Sequence, residues 1–250
     1  MAFLRPAIIA GLTAFASFSA HASQIPPLLE AALEKGELAN QIRWAYTSTF
    51  QNDYADLEFR FEPNGEDGVF TLLAPDVLSE RGDDVYARLR DDEDPDSDLT
   101  HEQVRIVIGD QEVQIVDQTD SYVVYAVRPN PWDDIDEDQV DFFEHMMAEL
   151  TVSRGTEQIT QLRLYNHEPF RAQVVARVNR FEQVMEFAPE PITGLPLMIS
   201  LRQEVEGSAF FQRFHQIREE TYRDYNPVGM SAGEASCNTS SCVQEFLAAQ

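Results

Sequence analysis

Few residues in this chain have types and spacings that could do chemistry. Gly229-Met230-Ser231-Ala232-Gly233 has the Gly-x-Ser-x-Gly form of a nucleophile elbow. An elbow needs a strand before the serine, a helix after it, and an acid and a histidine further along the chain. No His follows Ser231 and Glu234 is immediately adjacent, so a tail rich in small residues accounts for the match. Two acidic stretches, Asp91 to Asp98 and Asp133 to Asp138, could attract calcium. An EF-hand loop wants Gly at its sixth position and Glu at its twelfth. Frames starting at Asp92, Asp94 and Asp134 put Ser97, Leu99 and Gln139 at the sixth, and Gln103, Arg105 and His145 at the twelfth. What remains is a non-EF candidate, Asp94, Asp96 and Asp98, beside the plainer reading of a solvated loop.

Histidines 101, 145, 167 and 215 follow no His-Glu-x-x-His or similar ligand spacing. No glycine-rich phosphate cradle occurs, so no nucleotide or other cofactor is implied. With 44 Asp and Glu, a catalytic carboxylate pair cannot be singled out, and no catalytic residue is assigned.

The 250 residues carry 18 Lys and Arg against those 44 acids, a formal net charge of −26. A surface so negative repels phosphate backbones, which argues against nucleic acid as a partner. Apolar residues are 43% of the chain, ample for a core. No apolar run after the N-terminus is long enough for a spanning helix. Arg5, the apolar run from Pro6 to Ala20 and the Ala20-His21-Ala22 site follow the signal-peptide pattern. We therefore expect cleavage after Ala22 and a soluble periplasmic protein. Cys237 and Cys242 are the only cysteines, and an oxidising compartment would join them in a short-loop disulfide.

The elements alternate accordingly. Leu28, Leu29, Ala32 and Leu33 recur at helical spacing, with Gly36 expected to end or weaken the helix. Ile42, Trp44, Tyr46, Ser48 and Phe50 share one side of a strand, and Leu57, Phe59 and Phe61 one side of the next. Val69 to Leu73 forms a third strand, and Asp76 to Leu89 reads as helical. Val104 to Ile108, Glu112 to Asp117 and Tyr122 to Arg128 read as strands. Gln139 to Leu150 reads as a helix with Phe142, Phe143, Met146, Met147 and Leu150 on its apolar face. Five further strands follow, with turns at Gly194-Leu195-Pro196 and Glu206-Gly207-Ser208. No internal repeat and no long linker divides the chain. The expected fold is α+β: one large curved antiparallel β-sheet with a few helices segregated on one face. It would occupy residues 23–226 as a single domain, between the signal peptide (1–22) and a tail (227–250).

This order of elements carries a resemblance. It lies in Ile159 to Phe170, Val175 to Phe187, Gly194-Leu-Pro-Leu-Met198 and Val205 to Phe211. The layout resembles the LolA-like fold of periplasmic proteins, a half-barrel of antiparallel strands with helices on its concave side. It also resembles uncharacterised exported proteins of Gram-negative bacteria. The resemblance implies a carrier that shields acyl chains of a lipid or lipidated protein; it transfers no residue roles. Trp44, Tyr46, Phe59, Phe61, Phe70, Leu162, Leu164, Met185 and Phe187 stand at alternating positions. They would line such a cavity where helices leave room, or fill an ordinary core where they do not. Met146 and Met147 are compliant enough to shape either. Two other readings stand beside the carrier: a cell-envelope enzyme, or an interaction protein using its acidic loops.

The acid excess suggests a salty habitat, where self-repulsion is screened. We expect the thermal midpoint to rise with moderate salt in a scanning-fluorimetry series; a flat response would contradict this.

Overall fold

The computed structural model describes residues 25–64, 67–75, 77–90, 102–109, 111–129, 142–173 and 176–230. Helix α1 (Pro27–Asn40) begins with proline in its first turn, where a missing amide leaves no bond unmade. Leu29, Ala32, Leu33, Gly36 and Ala39 form its buried stripe. The expectation at Gly36 is thus corrected: it sits three and four residues past Leu33 and Ala32. Packing of that stripe outweighs the roughly 1 kcal/mol helix cost of glycine.

Strands β1 (Ile42–Asn52), β2 (Asp56–Asn64) and β3 (Asp67–Ala74) form a meander, followed by helices α2 (Glu80–Arg90) and α3 (Glu102–Ile108). A second meander comprises β4 (Gln114–Gln118), β5 (Tyr122–Val127), β6 (Met146–Ser153), β7 (Gln158–Asn166), β8 (Phe170–Gln173), β9 (Ala176–Pro189), β10 (Pro196–Ala209) and β11 (Gln212–Met230). One antiparallel sheet of 11 strands results, in the order β3-β2-β1-β11-β10-β9-β7-β6-β5-β4, with β8 paired to β9. It is open, with β3 and β4 at its ends. The seam between the meanders is β1 against β11, from Ile42↔Met230 to Asn52↔Arg218. β11 therefore runs four residues past the expected domain boundary at 226.

The register aligns one row across nine strands: Ile115, Tyr125, Leu150, Leu162, Met185, Leu201, Glu220, Phe50 and Leu57. Most of this row is buried in one cluster with Leu29 and Leu33 of α1 and Val104, Val107 and Ile108 of α3. α1 touches β1, β6, β7 and β10, so it lies across this face of the sheet.

Two expected elements are corrected. Val104 to Ile108 is helical, although β-branched residues fill it. Val104, Val107 and Ile108 fall at i, i+3 and i+4 and bury together, and Arg105 reaches Glu30 and Glu37 of α1. Residues 146–153 are a strand, and among the described residues just before it 142–144 are helical. Positions 142, 146 and 150 share a face in either period. Burial of Met146, Ala148, Leu150 and Val152 at period two decides for the strand.

The turn expected at Glu206-Gly207-Ser208 is also displaced. Gly207 stays within β10 because the Phe214 ring of β11 crosses it. A Cβ at Gly207 would stand 2.6 Å from that ring and 2.4 Å from the Arg177 carbonyl oxygen. The hairpin turns instead at Phe210 and Phe211, with φ of 49° and 67°. Two left-handed residues make the turn that Asn-Gly favours; phenylalanine there costs about 1–2 kcal/mol per residue.

The opposite face carries a ladder of charges. Arg163 bonds Glu149 (3.1 Å) and Glu182 (2.7 Å), and Arg180 bonds Glu182 (2.5 Å) and Glu204 (3.3 Å). Arg202 bonds Glu204 (3.3 Å) and Glu219 (2.8 Å), while His215 lies 3.1 Å from Glu204. The Arg180 guanidinium, with Arg163 behind it, holds the Glu182 carboxyl below its ordinary pKa. His215 and then Arg202 do the same for Glu204. Depressed carboxyls stabilise the fold above their ordinary value of 4.5 and lose that contribution as pH falls through the folded value. Thermal midpoints measured by circular dichroism should therefore drop as pH is lowered from about 5 to about 3. E182Q/E204Q should flatten part of that drop, at under about 1 kcal/mol per exposed pair; an unchanged pH profile in the double variant would contradict the ladder's role.

Candidate functional site

The site is a fork in the sheet. The β10–β11 ladder runs from Ala209↔Gln212 to Ser200↔Thr221. Before Ser200, β10 stays with β9 as far as Pro196↔Pro189. After Thr221, β11 stays with β1 as far as Met230↔Ile42. Local irregularities accompany the parting. β10 shifts register between Met198 and Ser200, and Asp224 of β11 takes a left-handed φ of 56°. The Tyr225 hydroxyl donates to the Met198 carbonyl across the gap. A small core closes its base: Ala39, Ile42, Trp44, Leu195, Leu197 and Met230, with the Trp44 indole N–H donating to the Ala39 carbonyl at 3.1 Å.

A cavity of about 430 Å³ occupies the fork. Its apolar lining comes from Ala188, Pro189, Pro191, Ile192, Leu197 and Ile199, with Tyr222 and Tyr225 behind. Ile192 is 62% and Ile199 40% exposed, so the lining meets solvent. Three charged residues also border it, and each is engaged by the protein itself. Arg223 pairs with Asp224 at 2.6 Å and with Glu58. The buried Glu190 carboxylate accepts from the Ile192 amide (2.9 Å), the Thr193 amide (2.7 Å) and the Thr193 hydroxyl (2.9 Å). That capped loop, with Gly194 at φ +72°, fixes where Ile192 stands. Burial, then the neighbouring Glu220 carboxylate, pushes the Tyr222 phenol well above its ordinary pKa, so it stays a neutral donor. The arrangement offers an apolar surface with settled polar groups.

Glu220 is what sequence reasoning missed. It is 4% exposed and is the one charged member of the nine-strand row. The Tyr222 hydroxyl and the Arg218 guanidinium both donate to it, and Arg218 lies over the Phe50 ring at 5.3 Å. A buried carboxylate survives only with such partners. Beside it, a smaller cavity of about 150 Å³ is bordered by Asn52, Gln203, Gln216 and Arg218 and by Tyr54, Val205 and Ile217, a mixed recess of water-holding size.

The nine apolar candidates fall elsewhere. Tyr46, Phe59, Phe61, Leu162, Leu164 and Phe187 are buried in the main cluster, and Phe70 and Met185 pack against it. Trp44 belongs to the fork's base. None of the nine lines either cavity. Two of them reach the site's tyrosines: the Tyr46 ring lies 5.8 Å from Tyr222 and 6.0 Å from Tyr225, and the Trp44 ring 6.1 Å from Tyr225. Tyr46, Phe59, Phe61, Leu162, Leu164 and Phe187 share that cluster with Leu29 and Leu33 of α1 and with Val104, Val107 and Ile108 of α3. Cys237, Cys242, Ser231, His101, Asp94, Asp96 and Asp98 lie outside the described residues. Among the described residues no three His, Cys, Asp or Glu gather as metal ligands. His145 stacks on Phe170 at 4.8 Å, with His167 6.4 Å away.

No family model matches the chain, and a search of the curated proteins finds no match. Two solved structures align with it. The crystal structure of MucB in complex with MucA(peri) does so at 10% identity and a TM-score of 0.23, over 80% of this chain and 97% of that one. The complex structure of Pseudomonas aeruginosa MucA/MucB does so at 11% identity and a TM-score of 0.21, over 80% of this chain and 98% of that one. Among the described residues no helix is long and apolar enough to cross a membrane.

Glu190→Ala should release the loop over the cavity. Three accepted bonds vanish, so stability should fall by about 1–3 kcal/mol. Amide exchange at Ile192 and Thr193 should quicken; unchanged protection there would contradict the carboxylate's role.

Proposed function

We propose that this chain is an exported, periplasmic binding protein that holds the apolar part of a lipid-like or lipidated ligand and does no chemistry on it. The N-terminal export pattern supports the location. The observation that carries the binding reading is the 430 Å³ fork cavity, whose exposed lining is apolar and whose charged neighbours are already paired. Its volume lies within the range of small-molecule sites, roughly 300–1,000 Å³. An acyl chain would gain about 25 cal/mol for each Å² of apolar surface it removes from water there. We further read the sheet as curving round α1, in the manner of a half-barrel. The ligand then enters at the fork and leaves the filled core undisturbed.

The test is titration with an environment-sensitive hydrophobic dye, paired with native mass spectrometry of the protein as purified from the exporting cell. One-to-one dye binding is expected, with a co-purifying lipid-sized mass. Ile199→Glu should weaken the dye at least tenfold, because it desolvates a carboxylate in the lining. Ile199 is already 40% exposed, so the thermal midpoint should hold. Dye binding that does not saturate, or that Ile199→Glu leaves unchanged, would overturn the assignment.

A further inference from the structure

We propose that the end of the sheet formed by β8, β9 and the β10–β11 turn docks on an anionic phospholipid bilayer. The register sets Arg171 of β8, Arg177 of β9, Ser208 of β10 and Arg213 of β11 in one row. The adjoining row, on the other face, is Phe170, Val178, Gly207 and Phe214. Beyond both stand Phe210, 73% exposed, and Phe211, fully exposed.

Charge singles this end out. Segments 170–178 and 207–214 contain three Arg and no acid, in a chain with 44 acids. Elsewhere on that face Arg163, Arg180, Arg202 and Arg223 all sit against carboxylates. Arg171, Arg177 and Arg213 are exposed, and among the described residues none of them has an acidic partner. Arg171 and Arg177 even face each other directly, an arrangement that repels in a sheet.

An anionic surface resolves both features together. Lipid phosphates neutralise the arginine row, and the two phenyl rings enter the boundary between headgroups and acyl chains. The rings protrude at a turn. A bilayer accepts such a tip without a shaped pocket. The negative charge elsewhere is screened within about 8 Å at physiological salt, so it does not forbid contact by a protruding end. The turn lies 11 residues from Ile199 along β10, about 36 Å of strand, so this is a second site.

The test is cosedimentation with vesicles of phosphatidylglycerol and phosphatidylethanolamine, and with phosphatidylcholine alone, every variant sharing the wild-type N-terminus. The wild type should bind the anionic vesicles, less as salt rises. F210N/F211G supplies the residues the turn geometry favours, so its thermal midpoint should equal or exceed the wild type's. Its binding should nonetheless fall at least tenfold. R171Q/R177Q/R213Q should lose the anionic preference, about fivefold per arginine. Dye binding at the fork should be unchanged in both variants, which separates failure here from failure there. Absence of vesicle binding, equal binding to both vesicle types, or full binding by F210N/F211G would overturn the proposal. In the first case a protein partner becomes the reading for the tip.

Discussion

The burial of one sheet face under α1 and α3 is the constraint the rest depends on. A sheet this wide cannot cover its own apolar face, and its strands would stay exposed without the helices. The nine-strand row accepts that cover with a single charged member, Glu220. That exception needs two donors, Arg218 and Tyr222. Tyr222 in turn lies between the filled core and the fork cavity, touching Tyr46 on one side and bordering open volume on the other. Core and site thus share a wall. The opposite face carries paired charges, which contribute little stability individually.

β10 and β11 do different work at their two ends. Near Ser200 and Thr221 they part, because β11 follows β1 while β10 follows β9. Near Ala209 and Gln212 they close tightly, and the turn holds phenylalanines in a backbone geometry they disfavour. A turn retained against its own local preference is a feature that folding alone does not explain. The fork gathers apolar surface inward, while the tip presents it outward beside arginines that have no acidic partner among the described residues.

Much of the sheet was legible. Alternation in Ile42 to Phe50 and in Leu57 to Phe61 gave the buried side of β1 and β2 correctly, since period two admits no other element there. Residues 142–150 misled because a spacing of four satisfies helix and strand alike. Residues 104–108 misled because their β-branched composition yields to packing against α1. Gly207 looked like a turn, and only the Phe214 ring explains why it is not. The fork was invisible, for it depends on which partner each strand keeps, and single-chain periodicity carries no such information. Glu220 was hidden because β11 bears charges on both faces.

The seam between β1 and β11 sets an order of assembly. Most other pairs in the sheet join neighbours in sequence, so each meander can form from local contacts. β1, however, lacks its second partner until residues 218–230 arrive, some 170 residues later. Loop closure across that span opposes early pairing, which slows folding and leaves one side of β1 uncovered meanwhile. The fork's base, which joins Ile42 and Trp44 to Met230, cannot exist before the seam does. The fork cavity is therefore completed last, once the last of the described strands has been delivered, and a chain arrested earlier presents an aggregation-prone edge.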